Sequence, residues 1–539
     1  MPHVVTQSCC SDASCVYACP VNCIHPTPDE PDFLTADMLY IDPESCVDCG
    51  ACISACPVDA IVPGSKLEQS QQVFLDINAD FYKQPRSYPL LAPLVPATIA
   101  RRDRGALRVA VVGSGPAAMY AADEVLRQSG AEVDVFDRLP APYGLVRAGV
   151  APDHQKTKQV TELLDKISHE RGFEFFLDVE VGKDISHHEL LQSHHAVIYA
   201  VGASSDRRLE IPGADLPGVG TATEFVGWYN GHPDHVHRKF DLSNARVVIV
   251  GNGNVALDVA RILASDPDTL ASTDITDDAL AALRASKVKE VVIVARRGPA
   301  DSAFTVPELT GLLAHDDFDV VVDRVGVEAP AGEFSPAVST KLAMLDGLPD
   351  ATAPSDRRRI VFRYGSSPVA MHGTDRVEAV EFDCAGAAER LGSGLVLTSI
   401  GYHGEPVPDL PFDASTGTVP NLDGRVVGVA GTYVAGWIKR GPSGFIGTNK
   451  SCAHDTVENL IADFNAGELV EPVGNRSDLR KLLARRDVRF VDRAGWARID
   501  DAERRRGAAS GRVRAKITDS AEAAAIARTS TRGRLALHR

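Results

Sequence analysis

What the sequence lacks already narrows its class. No apolar run approaches the roughly 18 residues that a membrane-spanning helix needs, and the 44% hydrophobic content is that of ordinary globular protein. The opening residues, Met-Pro-His-Val-Val-Thr, have neither a basic n-region nor an apolar h-region, so a secretory leader is not expected and a cytoplasmic location is. Basic residues are nearly missing from residues 1–66, where Lys66 stands alone against nine acidic side chains. With a net charge of −17 over the chain, nucleic acid is not expected as a partner, and neither is a membrane. Cysteine is scarce after residue 56, where only Cys384 and Cys452 occur, and both read as inert thiols. A chain of 539 residues is too long for one core and implies three or more domains.

The cysteines that are present crowd together. Cys46-x2-Cys49-x2-Cys52-x3-Cys56-Pro57 has the spacing in which three thiolates hold one [4Fe-4S] cubane and the fourth reaches across to a second cluster. A second group, Cys9-Cys10-x4-Cys15-x3-Cys19-Pro20-x2-Cys23, then supplies Cys19 to the first cluster and Cys9 and Cys15, with Cys56, to the second. A disulfide framework fits poorly without a leader, and zinc wants a single set of four thiolates. Two Cys-Pro steps in mirrored positions point to a duplicated half-domain. The first half lacks a complete CxxCxxC, so the second cluster is [3Fe-4S], or [4Fe-4S] with Cys10 or Cys23 as fourth ligand. The segment resembles seven-iron ferredoxins, although the Cys9–Cys15 gap is shorter than that family's.

A dinucleotide fingerprint organises the next region. Val109-Ala-Val-Val-Gly113-Ser-Gly115-Pro-Ala117-Ala118 runs from strand through a glycine turn into a small-residue helix, with Asp137 ending the following strand about 24 residues after Gly113. A second unit, Arg246-Val-Val-Ile-Val250-Gly251-Asn252-Gly253-Asn254-Val255-Ala256, has GxGxxA spacing, and its next strand ends in Arg296-Arg297 rather than an acid. Guanidinium groups there suit a 2′-phosphate, which selects NADP(H) over NAD(H). Ser265 to Lys287 reads as a surface helix with loops.

The loop Pro140-Ala-Pro142-Tyr143-Gly144-Leu145-Val146-Arg147-Ala-Gly149-Val150-Ala-Pro152-Asp153-His154 resembles adrenodoxin reductase and its bacterial ferredoxin–NADP reductase relatives. The likeness continues through Glu180-Val181-Gly182, Tyr199 to Gly202, and Gly436-Trp437 followed by Gly441-Pro-Ser443-Gly444-Phe445-Ile446. It implies that the first dinucleotide is FAD, touched by Gly113, Gly115, Ala117, Asp137, Leu145, Val181, Trp437, Gly444, Phe445 and Ile446. It further implies NADP contacts at Asn252, Gly253, Asn254, Val255, Arg296, Arg297, Glu308 and Gly444. His154 is the candidate proton-handling or nicotinamide-positioning group; the alternative is a loop histidine that orders Asp153. The family is expected to carry a second glutamate three positions after Glu308, where this chain has Gly311.

These readings imply α/β architecture: two Rossmann-like three-layer domains, for FAD and NADP, behind a small α+β ferredoxin-like iron–sulfur domain. The expected divisions are residues 1–62 for the ferredoxin, 63–105 a linker, 106–207 and 395–539 the FAD domain with a C-terminal extension, and 208–394 the NADP domain. Prolines 85, 89, 93 and 96 mark the linker, with a short strand at Val73–Ile77; as a flexible coil of about 40 residues it spans on the order of 35 Å. Trp496 to Asp500 reads as a strand, and Ala521 to Ala527 as a helix. The arginines after Gly474 are either a docking face for an acidic ferredoxin or a solvated face. His187, His188, His194 and His195 read as surface positions, and His232, His235 and His237 as a solvated loop. The resulting function is a ferredoxin–NADP reductase with its own ferredoxin attached, whose partner is a ferredoxin or another small soluble electron carrier. The alternatives are an electron-input subunit like that of glutamate synthase, or a redox sensor whose clusters are structural.

Overall fold

The computed structural model describes residues 2–83, 88–89, 97–324 and 332–528. Among them no helix is long and apolar enough to cross a membrane. The linker positions Pro85, Pro93 and Pro96 lie outside the described residues.

The N-terminal unit is built by near-repetition. Strand His3–Val5 pairs with Ile61–Pro63, and Ile24–His25 with Tyr40–Ile41. Each half contributes a five-residue helix, Ser14–Ala18 and Ala51–Ala55, entered from a left-handed residue (Ala13, Gly50) and left at an extended cysteine (Cys19, Cys56). The Cys-Pro steps therefore end helices at equivalent places, as a residue before proline must leave helical geometry. Residues Val73–Ile77, expected as a short strand inside a linker, begin the helix Val73–Phe81. Their apolar side chains Phe74 and Ile77 recur at i and i+3 and enter the N-terminal core. Buried Asn78 explains why the helix stays there. Its Oδ1 accepts from Val5 N and Ile41 N, and its Nδ2 donates to Val5 O and Phe74 O, so one side chain joins both strand pairs.

The first nucleotide-binding layer is a seven-stranded sheet. Its central strands, Thr432–Val434, Ala196–Tyr199, Arg108–Val112, Glu132–Asp137 and Phe173–Leu177, are parallel. The helix Pro116–Leu126 presents Ala117, Ala118, Ala121 and Ala122 to this core, which lets Thr448–Ala466 pack beside it. The second layer is a six-stranded parallel sheet in the order Val219–Thr221, Leu395–Thr398, Arg246–Val250, Glu290–Val294, Arg358–Arg363, Phe318–Asp323. Leu395–Thr398 thus belongs to the second sheet rather than opening the return to the first, because its uninterrupted Leu-Val-Leu run fills a fully buried parallel position. The chain returns just after it, where Tyr402–His403 pairs with Ser205–Asp206. A three-stranded antiparallel sheet, Ser367–His372, Ala379–Cys384 and Ala387–Gly392, is appended to the second domain.

Three further expectations are corrected. Trp496 to Asp500 lies inside the helix Arg493–Ala509, capped by Asp492, with Trp496, Ile499 and Glu503 on its buried face at helical spacing. His187, His194 and His195 are buried: His194 bridges Asp134 and Leu190 O, His195 accepts from Arg108 N, and His187 meets the Tyr199 hydroxyl. The C-terminal arginines keep to the solvated-face alternative while pairing within the chain, Arg504, 59% exposed, and Arg514 with Asp500, Arg506, 46% exposed, with Glu522, and Arg476 with Asp134. The stretch 265–287 holds two short helices, Pro267–Leu270 and Asp277–Arg284.

The fully buried Glu503 carboxylate is held by Arg147, at 2.5 Å, and Arg514, at 2.6 Å. Burial works to raise the Glu503 carboxyl, and the two guanidinium groups overcome it and leave the group below its ordinary value. Removing one partner strands the others in a dry site, so Glu503→Ala is expected to cost about 3–5 kcal/mol in urea denaturation. Since the folded-state value is the depressed one, this contribution is present above the ordinary value of 4.5 and is lost as pH falls through and below it.

Candidate functional site

Both fingerprints fold as glycine-pinned turns. Gly113, at φ 104°, brings the end of the first central strand so close to the neighbouring one that a Cβ would stand 2.4 Å from Ala200 O. Gly251, at φ 114°, does the same against Ser399 O at 2.1 Å. Each turn then starts a helix whose free N–H groups suit a pyrophosphate. Nothing lies within 4 Å of a Cβ placed on Gly253, the open cradle a phosphate needs.

Around the first turn the loop from Tyr143 folds back, with Gly144 close to Gly115. Asp137 is fixed by Ser114, whose N and Oγ donate to Oδ2 at 2.9 and 2.5 Å, and by Leu139 N, which donates to Oδ1 at 2.9 Å. Leu145, in the short helix Gly144–Ala148, and Val201 are 40% and 39% exposed beside this turn, apolar surface of the kind a flat aromatic cofactor covers. Val181 forms a bridge with Ile185 in a neighbouring loop. Gly436 sits against Ala117, and Trp437 packs on Tyr402 with ring centroids 5.3 Å apart and donates through Nε1 to Ser443 O. Gly444 follows at φ 77°, and Thr448 Oγ1 donates to Phe445 O at 2.8 Å. Beside this turn Arg440 Nε is buried with no hydrogen-bond partner among the described residues, a donor that a cofactor oxygen would satisfy.

On the second domain Asn254 Oδ1 accepts from Thr305 N at 2.8 Å, tying the fingerprint helix to the loop before Glu308. Arg296 and Arg297 are exposed; Arg297 reaches Asp301 at 3.0 Å, and Arg296 has no ion pair among the described residues. His154, Asp258 and Glu308 come together, each offering a polar atom within 4.8 Å of the others, although they lie on three separated segments. Arg261 ties this group together: fully buried, it donates to Asp153 through Nε at 2.6 Å and to Asp258 through Nη2 at 2.7 Å. Asp153 is therefore ordered by Arg261 rather than by His154. Burial raises the Glu308 carboxyl, while His154 pulls it down. The pairing of Arg261 with Asp153 could not be read from the sequence, because Asp153 lies about a hundred residues earlier.

The thiols fall into two sets. Cys19, Cys46, Cys49 and Cys52 line one small cavity, and Cys23 shares it, with its Sγ 3.4 Å from that of Cys19. Cys9, Cys15 and Cys56 form the other set, close enough that thiolate charge on Cys9 or Cys56 opposes ionisation of Cys15. Burial pushes Cys9 up to about 11, a cost that bound iron reverses by holding thiolates. Cys10 is buried in the same core as Val58 and Ala60.

The two bodies touch directly. Gly447 N donates to Cys10 O at 2.7 Å, and Lys450 Nζ reaches Asp12 at 3.2 Å and Ser14 at 2.9 Å. Asp37 accepts from Val306 N at 2.8 Å, capping the helix that carries Glu308. Gln7 fills the place left by the absent side chain of Gly311. Instead of a free tether, the stretch 98–101 is bonded to Glu458, Gln128 and Asn465. The Cys9 set thus lies on the side of the Gly444–Gly447 turn, and exposed Cys49 marks the other set.

Comparison with known proteins agrees with this division. Residues 107–299 match the family described as pyridine nucleotide-disulphide oxidoreductase, and residues 39–62 the 4Fe-4S binding domain. The chain is 57% identical, over 98% of its length and 95% of the relative's, to a probable ferredoxin/ferredoxin–NADP reductase of Mycobacterium tuberculosis. It is 39% identical to the human mitochondrial NADPH:adrenodoxin oxidoreductase, over 77% of this chain and 91% of that one. The solved structure of Mycobacterium tuberculosis FprA in complex with NADPH superposes with a TM-score of 0.74 at 42% identity, over 78% of this chain and 99% of that one.

A Cβ on Gly447 would lie 2.1 Å from Asp12 N, against backbone that cannot swing aside. Gly447→Val is therefore expected to undock the N-terminal unit while each body stays folded. Small-angle scattering should show a larger radius of gyration.

Proposed function

The chain belongs to the adrenodoxin reductase family of ferredoxin–NADP reductases, with a ferredoxin domain in the same polypeptide, and from this premise we propose which residues do its work. It is a flavoprotein oxidoreductase that moves electrons between NADPH and ferredoxin. FAD, when bound, takes an electron pair as hydride and releases electrons singly, which is the exchange a nicotinamide and iron–sulfur clusters require. The chain's own task is to bind, orient and shield.

For FAD we assign the Gly113–Ala117 turn with Asp137, Leu145 and Val181, and the segment Trp437 with Gly444 to Ile446. For NADP(H) we assign Asn252 to Val255, Arg296, Arg297, Glu308 and Gly444, with His154 positioned beside the nicotinamide by Asp258. Cys19, Cys46, Cys49 and Cys52 hold a [4Fe-4S] cluster. Cys9, Cys15 and Cys56 hold the second; Cys23 lies in the other set, while Cys10 is buried in the core against which Cys9 and Cys56 also pack, so the second cluster is [3Fe-4S] on three ligands or [4Fe-4S] with Cys10 as the fourth. Iron ligation fits the reducing cytoplasm. The domains we propose are a ferredoxin domain extended to about residue 82, an FAD domain from 106 to about 207 and from about 402 onward, and an NADP domain between them.

The observation carrying this reading is the backbone contact between Gly447 and Cys10. It sets the Cys9–Cys15–Cys56 set against the flavin-side turn and leaves exposed Cys49, beside Val47 at 60% exposure, as the edge open to an external carrier. Anaerobic addition of stoichiometric NADPH to FAD- and iron-loaded protein is expected to bleach the flavin and then produce cluster EPR signals. In Cys46→Ser the flavin should still bleach and the [4Fe-4S] signal be lost; in Cys56→Ser small dyes should still be reduced but ferredoxin at most slowly. Clusters that stay oxidised in the wild-type protein would overturn internal transfer from NADPH through FAD to the clusters.

Arg296, with no ion pair among the described residues, is expected to contribute more to nucleotide choice than Arg297, which is engaged by Asp301. Losing one charge-assisted pair costs about 1.5–3 kcal/mol, so Arg296→Ala should raise KM for NADPH about tenfold or more and leave that for NADH unchanged. An equal loss for both nucleotides would remove the 2′-phosphate from its side chain.

A further inference from the structure

The helix Val306–Leu313 carries Glu308 and is held from outside its own domain. Asp37 caps its first turn, and one turn after Glu308 it presents Gly311, a residue with no side chain. The space above Gly311 is filled by Gln7 of the ferredoxin domain. A Cβ there would lie 2.0, 2.4 and 2.6 Å from Gln7 Nε2, Cδ and Oε1, so the whole carboxamide rests on the glycine. From that place Gln7 Nε2 donates toward Glu308 Oε2 at 3.5 Å, the outer limit of a hydrogen bond.

The segment bearing Gln7 is itself rigid. Thr6 donates through N and Oγ1 to Ala60 O, and Cys9 N closes a turn onto Thr6 O. Glu308 is half-buried, faces His154 and Asp258, and has Arg261 behind them. A carboxylate there has two oxygens to satisfy, and the NADP domain brings another carboxylate, Asp258, close to it. An amide donor is what such a site lacks.

We propose that Gln7 is a positioning residue of the nicotinamide-side site, supplied by the ferredoxin domain, which orients the Glu308 carboxylate against His154, and that Gly311 is the vacancy it needs. The proposal rests on the reading of His154 and Glu308 as the nicotinamide site. On this account the pyridine-nucleotide site is complete only while the ferredoxin domain is docked. Glu308 and the cluster ligand Cys9 are then joined through a single turn of backbone.

The test uses the full chain loaded with FAD and iron. Gln7→Ala removes the amide. Gly311→Ala expels it from the other side, at little cost to folding because only the end of a flexible side chain must move. Two quantities are read: the limiting rate of flavin reduction by excess NADPH in stopped flow, and the flavin difference spectrum and Kd on titration with NADP+. A hydrogen bond at the outer limit of length is worth no more than an ordinary neutral one, so its loss predicts a limiting rate lower by about three- to tenfold in both variants. Both should show an altered NADP+ difference spectrum, a Kd within about twofold of wild type, and unchanged cluster EPR. In the double variant Gln7→Ala/Gly311→Gln the amide returns from the helix, and the rate should recover. Wild-type rate and spectrum in both single variants would overturn the proposal, as would a defect confined to Gln7→Ala and accompanied by loss of cluster signal. If NADPH fails to reduce the flavin even in the wild-type protein, the functional reading falls instead.

Discussion

Close approach of backbone to backbone is the constraint on which this molecule depends. The ferredoxin domain could not sit against the flavin-side turn if Gly447 bore a side chain, since Asp12 and Ser11 occupy that volume. A single backbone hydrogen bond contributes only about 1 kcal/mol net. What fixes the arrangement is the sum of the Gly447–Cys10 bond, the Lys450–Asp12 pair with its buried carboxylate, the Asp37 cap and the Gln7–Gly311 fit. Because the two bodies share a chain, each contact acts at high effective concentration rather than against the cost of bringing two molecules together. The same rule operates inside each nucleotide domain, where Gly113 and Gly251 let strand ends meet.

The features legible in the sequence were those whose physics is local. Cys46 to Pro57, the Gly113 and Gly251 turns, and Arg296-Arg297 each place their chemistry within a dozen residues, so spacing alone carries it. The α/β layers followed from strand–turn–helix order. The helix at Val73–Phe81 was missed because five β-compatible residues, Val73 to Ile77, suit either state and only Asn78 and the N-terminal core decide it. Trp496 was misassigned for a like reason: its helix is fixed by contacts with Tyr143 and Arg147, some 350 residues away.

The pairings invisible in the sequence are all long-range. Arg261 with Asp153, Glu503 with Arg147, and Gln7 with Glu308 join segments separated by more than a hundred residues. Buried charge was the clue in principle, since a charged residue within an apolar helical face must find a partner. Arg261 sits amid Ala260, Ile262 and Leu263, and that placement announces a counter-ion without naming it. Gly311 is the converse case. Its departure from the family pattern was visible as an absence, and only the docked domain shows what occupies the space.

The helix Arg493–Ala509 reaches back to the segment that lies over the first fingerprint, through Glu503 to Arg147 and Trp496 to Tyr143. The first sheet likewise waits for Thr432–Val434 and for the helix Thr448–Ala466. A ribosome releases the ferredoxin domain complete long before any of these emerges. In the order of synthesis the cysteines of the ferredoxin domain are therefore all in place before the segments that close over the first fingerprint exist, and the face around Cys9, Cys10 and Cys56 stays uncovered until they do.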